Sequence, residues 1–153
     1  MSTQHDELSV LKEWYRYNSH VRKKYIAAIE ELPPEEINRD RGASFPTLLD
    51  ILAHTMESYS DWFFVRYGLK SPLSSERLTW QIKSIQELRS TETKIDSAVL
   101  NFVEGLGYSE LDNTFETSDE LNRWRFTLRQ MLWHLVEEEL QHRGELNALL
   151  WQM

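Results

Sequence analysis

The chain has 153 residues, enough for one domain (1–153) that buries a core without a covalent staple. It contains no cysteine, which excludes disulfides, thiolate zinc sites and a cysteine nucleophile, and fits a reducing compartment. Its formal charge of −8, from 17 Lys and Arg against 25 Asp and Glu, argues against nucleic acid as a partner, because phosphate binding needs a basic face.

No uncharged apolar run approaches the roughly 20 residues of a membrane span, so no membrane partner is expected. The leading segment Met1-Ser2-Thr3-Gln4-His5-Asp6-Glu7 has neither a basic n-region nor an apolar h-region. A cytoplasmic protein is the expectation. Six Trp beside only five Gly and four Pro suggest long helices around an aromatic-rich core.

A first helix is expected from about Asp6 to Leu32. Leu11, Trp14, Asn18, Val21, Tyr25, Ala28 and Leu32 step by threes and fours along one face, and Pro33-Pro34 stops it. Residues 33–46 form a charged connection. Thr47 with Asp50 has the spacing of a capping box and starts a second helix that runs to about Tyr67, where Gly68 is a good stop. A third helix is expected over roughly Leu78 to Leu106. Its stripe is Ile85, Leu88, Ile95, Val99, Phe102 and Leu106, with Glu92 at a core-like position. Between 108 and 126, Leu111–Phe115 and Arg123–Phe126 suit two short strands around a polar turn. A second capping box, Thr127 with Gln130, opens the last helix, which runs nearly to Met153. Four long amphipathic helices in one small chain predict an all-α four-helix bundle, with a short hairpin before the last helix.

Chemistry concentrates on the last helix. On a helical wheel centred on His142, Leu128, Met131, Leu135, Leu146 and Leu149 fall within about 40°, and so does Glu138. Burying a carboxylate costs several kcal/mol unless it is paired or bound to a cation. Side chains at i and i+4 lie about 5–6 Å apart at Cβ, so Glu138 and His142 can reach one metal ion. His54, in the middle of the second helix, is the best third ligand. Two imidazoles and one carboxylate suit a divalent transition ion such as Zn, Ni or Fe(II). A semi-exposed ion pair and a satisfied core histidine are the plainer alternatives. His134 lies about 80° off the stripe centre, where a rim ligand or a surface histidine both fit. A di-iron bundle needs two Glu-x-x-His motifs plus two glutamates, and only Glu139-Leu140-Gln141-His142 matches. Asn18 could orient a ligand histidine or set the register of the core, and Glu92 has the same two readings. Gly144, costly inside a helix, suits either a close backbone approach by another helix or a second subunit, or tolerated drift.

Three stretches carry a resemblance. Tyr17-Asn18 stands in the first helix. Ser44-Phe45-Pro46-Thr47-Leu48-Leu49-Asp50-Ile51-Leu52-Ala53-His54 precedes Trp62. His134 is followed by Gln141-His142-Arg143-Gly144-Glu145-Leu146. In order and spacing the chain resembles the DinB-like superfamily of small bacterial bundle proteins over nearly its whole length. The resemblance implies an up-down-down-up bundle, often dimeric, with a divalent metal on three histidines. Carried over by position, these are His54, residue 138 and His142. This chain departs at the middle one, where Glu138 replaces the usual histidine. Either the site has become a two-histidine, one-carboxylate site, or it has lost its metal. Glu is a competent ligand in an inward position, which favours the first.

Superfamily members with known chemistry resemble metal-dependent transferases or isomerases that use a low-molecular-weight thiol. The resemblance therefore implies thiol S-transfer or detoxification on a small-molecule substrate, with the metal holding the thiol as thiolate. The alternatives are a non-catalytic metal-binding stress-response protein and a metal-free dimeric interaction bundle. No catalytic residue is assigned by sequence.

Overall fold

The computed structural model describes residues 4–74 and 82–153. The described chain is mostly helical, with one small antiparallel sheet. Helix α1 (Gln4–Glu30) ends just before Pro33 and is followed by the single turn α2 (Pro34–Ile37). Helix α3 (Leu48–Ser60) widens into a π-helical turn, Asp61–Arg66. Helix α4 (Ile85–Glu104) leads through a 3₁₀ turn, Tyr108–Asp112, into β1 (Thr114–Ser118) and β2 (Arg123–Thr127). Helix α5 (Leu128–Trp151) follows directly.

Local chemistry sets these boundaries. The Thr127 hydroxyl accepts from the Gln130 N–H at 3.1 Å, and Gln130 Oε1 accepts from the Thr127 N–H at 2.9 Å, which is the reciprocal box expected at the start of α5. At α3 the box is only half made. The Thr47 hydroxyl accepts from the Asp50 N–H at 3.0 Å, but the Asp50 carboxylate accepts from the Thr47 hydroxyl rather than from the Thr47 backbone N–H. Gly68, at a φ of +91°, turns the chain out of the π-helical turn, a conformation that costs a side chain dearly.

Two expected boundaries shift. Helix α4 begins at Ile85, not near Leu78, because Ser84 caps it by accepting from the Glu87 N–H at 3.1 Å. Residues 78–81 lie outside the described residues. The first strand begins at Thr114, not Leu111, because Leu111 is fully buried within the 3₁₀ turn. Phe115 then pairs with Phe126 and Thr117 with Trp124 across the hairpin.

Helix α1 packs against α4 and α5, and α3 packs against the same two. Cross-helix contacts give the directions. Arg16 meets Glu104 while Arg22 meets Glu92, so α1 and α4 run antiparallel. The Tyr15 hydroxyl donates to the Leu132 carbonyl and Arg22 reaches Glu139, so α1 and α5 run parallel. Ser58 meets Glu138 and Trp62 meets His134, so α3 and α5 are antiparallel. Leu11, Ile29, Leu48, Ile51, Leu88, Leu128 and Leu135 are wholly buried where these helices meet.

The buried face of α1 is rotated from the expected one. Leu11, Tyr15, Asn18, Arg22, Ile26 and Ile29 line the core, whereas Ala28 is exposed and Trp14, Val21 and Tyr25 are half-buried. The apolar periodicity passed over Arg22, whose charge is accommodated by buried carboxylates. No described helix is long and apolar enough to cross a membrane.

Candidate metal centre

Helix α3 carries His54 about two turns beyond its Thr47 cap, and α5 carries Glu138 and His142 one turn apart. Antiparallel packing brings these stations level. One ligand atom from each of His54, Glu138 and His142 lies within 4.8 Å of the others. The two imidazoles meet edge to face, with ring centres 4.6 Å apart at 84°. Phe45, from the connection before α3, stacks on His54 at 4.2 Å and presents an edge to His142 at 5.6 Å. The apolar ring walls the group on one side.

Glu138 is the carboxylate of the group and faces two imidazoles. Glu138 Oε2 lies 3.7 Å from His142 Nε2, and Oε1 lies 3.9 Å from His134 Nε2. Both separations exceed a hydrogen bond. The Ser58 hydroxyl donates to Glu138 Oε2 at 3.1 Å. Burial, and then the neighbouring His142, hold the His54 pKa below its ordinary value, so His54 favours the neutral form that a metal requires. A bare imidazole nitrogen and a carboxylate oxygen repel at such range unless a proton or a cation lies between them. Two neutral imidazoles and one carboxylate are also a competent donor set with positions left open, so these residues fit a divalent transition ion.

The other singled-out residues fall elsewhere. His134 is half-exposed on the rim, its ring edge-on to Trp62 at 5.2 Å. Trp62 in turn packs on Phe126 and Phe115 of the hairpin, which places that hairpin on the flank of the site. Asn18 is fully buried but orients no ligand histidine: its Oδ1 accepts from Arg143 at 2.9 Å. Glu92 is buried and does not snorkel to water; it pairs with Arg22 at 3.2 Å and Lys23 at 3.0 Å. A side chain at Gly144 would meet nothing within 4 Å, so no described helix approaches it closely.

The wheel underestimated Glu139. It is the most deeply buried carboxylate on α5, whereas Glu138 keeps 28% of its side chain exposed. Arg22 grips Glu139 with one guanidinium nitrogen at 2.7 and 2.8 Å, and the Tyr59 hydroxyl donates to the same carboxylate. Arg22 also reaches Asp96 at 2.7 Å. Burial opposes the Arg22 charge, but Glu139, Tyr59, Asp96 and Glu92 together outweigh it and raise its pKa. The signal for this network was present, since Leu11, Tyr15, Asn18, Arg22, Ile26 and Ile29 also step by threes and fours.

A mostly helical chain with two imidazoles and a carboxylate converging between antiparallel helices defines a class: small helical proteins with a candidate metal centre. Comparison with known families makes the assignment specific. The sequence model of the DinB family matches residues 1–153, and the chain belongs to that family. It is also similar to Protein DinB of Bacillus subtilis (strain 168), at 24% identity over 144 residues that cover 90% of this chain and 83% of that protein.

Proposed function

We propose that the protein is an up-down-down-up four-helix bundle that binds one divalent transition metal through His54, Glu138 and His142 and uses it in thiol S-transfer or a related detoxification of a small molecule. The observation that carries the metal reading is the convergence of those three ligand atoms from two helices within 4.8 Å. The parallel run of α1 and α5, with α3 and α4 opposed to them, supports the bundle connection. Thiol transfer rests on the family resemblance.

When bound, a divalent ion would supply Lewis acidity, lowering the pKa of a thiol or water at an open position. The chain's own residues do the rest. Ser58 holds the Glu138 carboxylate by its hydroxyl. Phe45 covers the His54 ring and keeps water from that side. His134, at the open rim 3.9 Å from Glu138, stands where a proton could pass to solvent. The absence of cysteine means that any thiol is supplied from outside, and it supports a cytoplasmic setting. A homodimer is part of the proposal and is checked by light scattering.

The test is elemental mass spectrometry on untagged protein purified without chelator, beside His142→Ala and Glu138→Ala. About one equivalent of metal is expected in the wild type and little in either variant. A wild type that takes up no Zn, Ni or Fe(II) on incubation overturns the metal reading. Metal without turnover across thiols and electrophiles leaves a metal-binding protein that is not an enzyme.

A further inference from the structure

We infer that Glu145 is a positioning residue for His142: it holds the imidazole proton on Nδ1, so that the Nε2 lone pair faces the centre, and Ser44 ties it to the segment that carries Phe45. The inference rests on the metal reading for its effect on affinity, but not for its effect on the ring.

Among the described residues, His142 Nδ1 is a buried side-chain atom with no hydrogen-bond partner. A buried polar atom left unpaired has lost its water without a replacement, so a nearby acceptor or donor has a strong claim on it. Glu145 Oε1 lies 3.6 Å away, one turn along the same helix. An ionised carboxylate only accepts, so Nδ1 must be the donor. A neutral imidazole carries one proton, and placing it on Nδ1 leaves Nε2 bare.

Glu138 competes for that proton from the other side, since its Oε2 lies 3.7 Å from Nε2. Distance alone does not separate the two carboxylates; burial does. Among the described residues Nδ1 is sealed from solvent and unpaired, whereas Nε2 makes no hydrogen bond there and is not among the sealed atoms. Nε2 can be served by water or a cation, but Nδ1 has only the protein. The small closure needed to bring Glu145 Oε1 to hydrogen-bond range is a side-chain adjustment on a carboxylate that keeps about a quarter of its surface exposed.

Glu145 is itself oriented. The Ser44 hydroxyl donates to its other oxygen, Oε2, at 3.2 Å, which leaves Oε1 for His142. The next residue, Phe45, stacks on His54. Two consecutive residues therefore reach both histidines, one through a carboxylate and one by ring contact. Such outer partners commonly matter about 10–100-fold for metal affinity.

The experiment has two arms. In the first, long-range proton–nitrogen correlation spectra of the ¹⁵N-labelled, metal-free protein at about pH 8 report each imidazole tautomer. Wild-type His142 is expected as the Nδ1–H form, and Glu145→Ala is expected to lose that preference. Glu145→Gln, whose amide oxygen still accepts, is expected to keep it and serves as the folded, conservative control. In the second arm, Zn²⁺ affinity is measured by competition with a chromophoric chelator. A weakening of about 10–100-fold is expected for Glu145→Ala, with less for Glu145→Gln.

An Nε2–H form in the wild type overturns the inference. So does an unchanged tautomer in Glu145→Ala, or, where the wild type binds Zn²⁺, an unchanged affinity in Glu145→Ala. If the wild type binds no Zn²⁺ yet loses its Nδ1–H form in Glu145→Ala, the positioning role stands and the metal reading falls.

Discussion

At the scale of single residues, the most consequential choice in this chain is an arginine in a buried helix face. Arg22 sits at 6% exposure and contacts three carboxylates on two other helices: Glu92, Asp96 and Glu139. Removing one partner of a buried ion network strands the others, and the cost is about 3–5 kcal/mol. Arg22→Met is therefore expected to lower unfolding free energy by about that amount, read from the urea midpoint at unchanged slope. A change below about 1 kcal/mol would mean that the carboxylates find other partners or protonate at little expense. Asn18 and Arg143 extend the same network toward α5, so substitutions there are expected to couple with Arg22 rather than add.

At the scale of elements, what the sequence disclosed is what local chemistry decides. The cap at Thr127 is a contact between residues three apart, and Thr127→Ala is expected to cost about 1 kcal/mol, measured by thermal or urea unfolding. The stripe on α4 was equally legible because Ile85, Leu88, Ile95 and Val99 recur at helical spacing, and all four are buried. The hairpin Thr114–Thr127 could be seen as two short strands around a polar turn, though not its first residue. The facing of α1 could not be read by apolarity alone, because its inward residues include Asn18 and Arg22 and their partners lie 70 or more residues away. The π-helical turn at Asp61–Arg66 left no local mark either. His54, Glu138 and His142 were legible as a group because a helix face and a family pattern both singled them out. Glu139 was misjudged because a wheel gives direction, and depth depends on what stands opposite. The link from Glu145 to His142 requires knowing which imidazole nitrogen is sealed, and that is a property of packing.

At the scale of the whole molecule, the site shapes the response to acid. In the metal-free protein the His54 pKa is held below its unfolded value of about 6.5 by burial and by His142. Between those two values the unfolded chain binds more protons than the folded one, so folding stability is lost as pH falls through that window. Thermal melts of chelator-treated protein are expected to shift downward as pH drops below about 6.5, and His54→Gln is expected to flatten part of that slope. A wild-type midpoint that rises on acidification would contradict the assignment. The direction is the opposite of what a surface histidine beside a carboxylate would give, so the sign alone is informative.

The parallel pairing of α1 with α5 also has a consequence for how the chain comes to be folded during synthesis. Arg22 and Glu139 are 117 residues apart, and Tyr15 is as far from the carbonyl it binds. At a translation rate of about 5–20 residues per second, α1 waits roughly 6–25 s for α5 to be made. For that interval it carries Leu11, Tyr15, Ile26 and Ile29, all buried in the finished fold, without α5 packed against it. An arginine and an asparagine placed midway along that face keep it from being a continuous greasy strip while it waits. The buried charges that look costly in the finished molecule thus make the nascent helix a poorer target for aggregation.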